Sequence, residues 1–229
     1  MISRRTAYWI AHWISAVSSP YRLFCRLGGD AMRKSLIVQN KLDRIGPITL
    51  SNCTLRRDLD QPFVQATRDA LKLVERYDSR RLRVIEREFD LIVNQPLASS
   101  AAYERSTRQC KVNFTRYWTD ENRQLCTDPQ TEHYEWYLAR YASMLIHEAT
   151  HGRLYSSYFP YNKKTRTQIE RICVSEQRRF LARLPQDSYD FRAIVPAFDP
   201  QRWEASWNMS RKERFKRITQ SLREPNQSS

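Results

Sequence analysis

The chain has 229 residues, enough for one domain with a substantial core, or one domain with an appendage. It carries 39 Lys and Arg against 25 Asp and Glu, a formal charge of +14 that favours anionic membrane surfaces, acidic protein partners or nucleic acid. No zinc finger, helix-turn-helix signature or Arg/Gly repeat accompanies that charge, which disfavours nucleic acid, and five scattered cysteines without a Cys-x-x-Cys pair argue against a disulfide scaffold.

Residues 1–34 read as a basic amphipathic segment. Tyr8, Trp9, Ile10, Trp13, Ile14 and Val17 recur at helical spacing behind Arg4 and Arg5. The run is too short to span a bilayer and lacks a convincing cleavage pattern. It is suited to docking on the protein's own core or a partner, or to lying in a membrane interface. Short strands or irregular structure are expected around Leu36–Val38 and Ile48–Leu50, with a turn at Gly46-Pro47. Residues 62–77 predict an amphipathic helix with Phe63, Ala66, Ala70, Leu73 and Val74 inward. Residues 80–94 are strand-like in their second half, where Phe89, Leu91 and Val93 alternate, and Pro96 ends the element. Residues 107–114 offer another strand, with Cys110, Val112 and Phe114 on one face.

A proline-free stretch over 130–159 predicts a long helix, apolar through Trp136, Leu138, Ala139, Ala142, Met144, Leu145 and Ile146. It ends in His147-Glu148-Ala149-Thr150-His151, which uses two of the chain's four histidines. Residues at i and i+4 share a helical face, so His147 and His151 can direct two imidazoles at one ion. Zinc accepts such nitrogens and lowers the pKa of a water it holds. Glu148, rotated by about 100° from its neighbour, is placed to act as general base on that water. Ala149 and Gly152 are small and invite close approach by another element.

A catalytic zinc needs a third protein ligand and an open position. Residues 163–184 predict a second helix, stopped by Pro185. Two of its glutamates can serve. Glu170 is preferred, because Cys173 and Val174 after it are compact and would let the helices pack closely. Glu176 is the alternative, with Arg179 crowding its approach. If Glu170 takes the metal, Glu176 can hold a ligand imidazole from behind. Electrophilic helpers for a developing oxyanion are plentiful nearby: His133 before the motif, then Arg153, Tyr155, Tyr158, Tyr161, Lys163 and Lys164. Tyr161, in a Pro-Tyr-Asn turn, is the one placed to lean over the cleft.

His147, His151 and Glu170 together resemble the zinc metallopeptidases of the glutamate-ligand, thermolysin-like type (gluzincins). The run LIHEATHGRL, with IERIC and SEQRRFLARLP after it, is similar to a little-characterised group of bacterial metallopeptidases. The resemblance covers residues 136–185. It implies a single zinc, Glu148 as base, and an open sheet edge beside the metal. The Glu-x-x-x-Asp form of the glutamate helix is absent, since position 174 is valine, and the Gly-x-x-His continuation of the metzincins is absent after His151.

The expected fold is α+β, a small mixed or antiparallel sheet packed against the histidine helix and the glutamate-bearing helix after it. Residues 35–206 would form the catalytic domain. An aromatic, irregular stretch follows Pro185 and could wall the cleft or equally form a solvated flank. Residues 207–229 would form a basic helix and frayed tail. The expected activity is zinc-dependent hydrolysis of peptide bonds in a protein or peptide substrate, in the cytoplasm or peripherally at a membrane. Two other readings share the residues. One is a non-catalytic basic binding or regulatory module on the same fold. The other is metal-dependent hydrolysis of a non-peptide amide.

Overall fold

The computed structural model describes residues 40–54, 56–97, 99–118, 128–130, 133–187, 189–208, 210 and 213. The expectations for residues 1–34, for Leu36–Val38 and for most of the basic C-terminal helix lie outside these residues. The chain from Leu42 onward belongs to one compact unit.

Five strands form one mixed sheet: β1 (Lys41–Ile45), β2 (Ile48–Asn52), β3 (Leu91–Asn94), β4 (Ala101–Glu104) and β5 (Gln109–Val112). Their order is β1-β2-β3-β5-β4. β3 runs parallel to both β2 and β5, whereas β4 returns antiparallel on β5, with Tyr103 opposite Cys110. Among the described residues β4 is therefore a free edge. Among the described residues the helices are α1 (Asp60–Glu88), α2 (Phe114–Trp118), α3 (Tyr134–Ser156), α4 (Arg166–Leu181) and α5 (Pro200–Trp207). The architecture is α+β, as expected.

α1 is longer than its amphipathic pattern suggested. It runs past Tyr77 through a kink at Asp78, whose φ of −159° and ψ of 72° leave the helical region. The Asp78 carboxylate is buried and paired with Arg81 and Arg183, so the kink is held by charge. Residues 80–88 are helical because Arg, Leu and Glu are good helix formers. Only Leu91–Asn94 is strand. All four of its residues are buried, since a strand flanked on both sides by parallel neighbours is covered on both faces and loses its alternation. Phe89 caps the helix, and Phe114 starts α2 rather than ending β5.

α3 is buried on nearly all sides from Tyr134 to Gly152, as befits a helix with apolar residues all round. α1 and α4 pack along it, and β4 crosses its C-terminal half. An aromatic cluster fixes the other end. Phe63, Phe114, Trp118 and Tyr141 are fully buried, with ring centroids 5.4–6.1 Å apart. Such edge and offset contacts add about 0.5–1.5 kcal/mol per pair beyond burial. Gly152 is where α3 meets its neighbours most closely. A Cβ built there would stand 2.9 Å from Glu88 Cβ and 3.0 Å from Tyr103 Cζ.

Candidate metal centre

The rigid pairing of α3 with α4 brings three donors to one point. His147 Nε2 and His151 Nε2 are 3.1 Å apart. Glu170 Oε2 lies 3.2 Å from the first and 3.5 Å from the second. Tetrahedral zinc with bonds of about 2.0–2.1 Å requires donor separations of about 3.3–3.4 Å. The triangle fits that size.

Its chemistry also asks for a cation. Glu170 Oε2 is buried, and among the described residues it has no hydrogen bond of good geometry. Two imidazole nitrogens are its near neighbours. Three lone-pair donors facing one another at this distance repel unless a proton or a metal ion lies among them. Burial disfavours charge on His147, yet the close approach of Glu170 and the charges of Glu148 and Glu170 raise its pKa above the ordinary value. Burial pushes Glu170 the other way from its neighbours; the two imidazoles prevail and hold it well below the usual carboxylate range.

Glu170 is thus brought to the histidines and Glu176 is not. The Glu176 carboxylate lies 2.7 Å from Arg81 and 3.1 Å from Arg179, tying α4 to α1. Helical geometry explains the difference. Six residues after Glu170 fall about 120° off its face, whereas seven return to within about 20°. The residue at that seventh position is Gln177, whose Oε1 is 2.8 Å from His147 Nδ1. The imidazole is held from behind by Gln177, the role expected for Glu176. The seven-residue spacing was the available signal.

Glu148 is buried in the same cleft. The backbone N–H of Tyr103 on β4 donates to its carboxylate; burial and Glu170 outweigh this and the two histidines, so the Glu148 pKa is raised. Tyr161 reaches the site and lines the cleft. Its hydroxyl donates to Glu170 Oε1 at 2.8 Å, orienting the carboxylate. Burial first, then Glu170, raise its pKa. Of the other proposed helpers, Tyr155 lines the cleft, with the Arg105 guanidinium 4.4 Å over its ring. Tyr158 is 82% exposed, and His133 packs beside Tyr189.

Cys173 stands one turn after Glu170 and is fully buried. Its sulfur and the two imidazole donors lie within 4.8 Å of one another, a looser triangle than the one Glu170 closes. Burial, then Glu170 and Glu148, push its thiol well above the ordinary value.

The cleft has a volume of about 710 Å³. One wall is the free edge of β4, with Ser99, Ser100, Ala101, Ala102 and Tyr103. The aromatic stretch after Pro185 also lines the cleft, one of the two places its sequence allowed. Trp203 on α5 stacks on His147, with planes 5° apart and centroids 6.0 Å apart. Phe198 stacks on Trp203 in turn. No helix among the described residues is long and apolar enough to cross a membrane. No family profile, characterised protein or solved structure matches the chain.

Proposed function

We propose that this protein is a zinc-dependent peptidase. The observation that carries the reading is the donor triangle of His147, His151 and Glu170, with edges of 3.1, 3.2 and 3.5 Å. A bound zinc ion would polarise the substrate carbonyl and acidify water. Glu148, next to the first histidine and held by the Tyr103 N–H, takes the proton from the attacking water and returns it to the leaving amine. Tyr161 and Gln177 hold the metal-facing side chains in place.

An extended peptide is the substrate form that suits this cleft. Among the described residues β4 has a neighbouring strand on one side only, and Ala101 and Ala102 leave room for a second backbone to pair beside them. The same N–H that fixes Glu148 belongs to this strand, so base and substrate would share one support. The charge of +14 favours acidic peptides or anionic surfaces as partners.

A second reading has its own observation. If Cys173 joined the two histidines and Glu170, the site would be closed by four ligands and the protein would be a binding or regulatory module. E148Q separates the two. Under the peptidase reading it keeps its zinc and loses about 10²- to 10⁴-fold in hydrolysis of an unstructured protein substrate. Wild-type rates in a zinc-loaded E148Q protein contradict the role of Glu148. Absence of hydrolysis in the zinc-loaded wild type across a broad peptide library favours the closed module.

A further inference from the structure

We infer that Gln177 is the positioning residue that presents His147 to a cation through Nε2, by means of a neutral hydrogen-bond relay anchored in α3. This rests on the metal-site reading above and goes beyond it in assigning the tautomer of His147 and the anchor at Ser143.

The relay begins at a fixed point. Ser143 is buried, and its hydroxyl donates to the Arg140 backbone oxygen at 2.9 Å. Its proton is spent there, so its oxygen can only accept toward Gln177. Gln177 Nε2 faces it at 3.5 Å. That contact orients the amide. With the NH₂ group toward Ser143, Oε1 faces His147 Nδ1 at 2.8 Å and must receive a proton from it. A neutral imidazole with its proton on Nδ1 has its lone pair on Nε2, the atom 3.1 Å from His151 Nε2 and 3.2 Å from Glu170 Oε2. The opposite amide orientation would set Oε1 against the Ser143 oxygen and the NH₂ group against Nδ1, placing the imidazole proton in the middle of the donor triangle.

The choice of residue has a consequence for the metal. Val174, one turn after Glu170, is apolar and buried, so it cannot bond the imidazole. The bond comes from the next turn, and from an amide. A carboxylate there would draw on the Nδ1 proton and make the imidazole a stronger donor. An amide fixes the ring without adding a charge behind it.

The test is zinc affinity, measured by competition with a chromophoric chelator at pH 7.5 on wild type, Q177L, Q177E and S143A. Partners that orient a ligand imidazole are worth about 10- to 100-fold in metal affinity. Q177L should lose that much while its metal-free melting temperature stays within about 2 °C of wild type. S143A should weaken binding in the same direction by less. Q177E keeps an acceptor at Nδ1 and should bind zinc at least as tightly as wild type. A long-range ¹⁵N–¹H spectrum of the zinc-loaded protein should show His147 protonated at Nδ1.

Wild-type affinity in Q177L overturns the relay, and so does a loss in Q177E as large as in Q177L, which would also decide the matter if Q177L failed to fold. A spectrum with Nδ1 bare and Nε2 protonated does the same. A wild-type protein that binds no zinc overturns the metal site itself, and the relay with it.

Discussion

Gly152→Ala tests how the histidine helix is seated. Gly152 lies inside α3, where alanine is favoured over glycine by about 1 kcal/mol. On helix propensity alone the variant should be more stable. The packing opposes this. The new Cβ would stand 2.9 Å from Glu88 Cβ, 3.0 Å from Tyr103 Cζ and 3.2 Å from Glu88 Cγ, against about 3.5–4.0 Å for carbon atoms in comfortable contact. The Glu88 atoms sit beside the backbone at the end of a helix, and its carboxylate is tied by Arg87 and by Ser156 at 2.9 Å. They have little freedom to retreat. Overpacking of this kind costs about 1–3 kcal/mol, so the net loss should be near 1 kcal/mol, or about 2–4 °C in melting temperature for a domain of this size. Tyr103 is the softer neighbour and should move more. Its N–H holds Glu148, and a displacement of about 1 Å in a catalytic group can cost 10²-fold. On the peptidase proposal, G152A should therefore lose far more hydrolytic activity than stability. Thermal melting and peptide hydrolysis on the same preparation decide it. A variant with a raised melting temperature and full activity would refute the close seating of α3 on Glu88 and Tyr103.

Three further outcomes follow from the same geometry. Arg81 joins Asp78 at the kink of α1 to Glu176 on α4, and Arg81→Met leaves two buried or half-buried carboxylates short of a partner; urea unfolding should show a loss of about 3 kcal/mol, and a change under 1 kcal/mol would mean the pairs are not structural. In the metal-free protein the raised pKa of His147 contributes stability that is full below 6.5 and is lost as pH rises through the raised value. The depressed pKa of Glu170 contributes stability present above 4.5 and lost as pH falls toward its folded value. The melting temperature in chelator should accordingly fall above pH 6.5, more in wild type than in H147N, and added zinc should remove the difference. Equal slopes in the two proteins would contradict that linkage. Finally, Cys173→Ala should keep the wild-type zinc stoichiometry, because the triangle of His147, His151 and Glu170 is closed without it; loss of the metal would make the thiol a ligand.

Much of the centre was legible in the chain because helices carry fixed spacings. His147 and His151 meet by the i, i+4 rule, and Glu170 was preferred over Glu176 for the compact residues after it. The structure does place Glu170, and not Glu176, against the histidines. Gln177 is uncharged, so only its seven-residue spacing from Glu170 marks it in the sequence. The sheet was harder. β3 is covered on both faces and shows no alternation, and β4 is built of Ala101 and Ala102, which have little strand preference. Its place at the cleft depends on pairing with β5, a tertiary fact. The reach of Tyr161 to Glu170, and of Trp203 to His147, likewise depends on loop paths that no local pattern encodes.

The central claim is tested most directly by metal content. Elemental mass spectrometry on folded wild type, H147A, E170A and E176A should find close to one zinc per chain in wild type and E176A, and little in H147A and E170A. Zinc lost from E176A but kept in E170A would contradict the assignment of the third donor. A wild-type protein that retains no zinc after it is supplied and the excess removed would contradict the metal centre and the peptidase built on it.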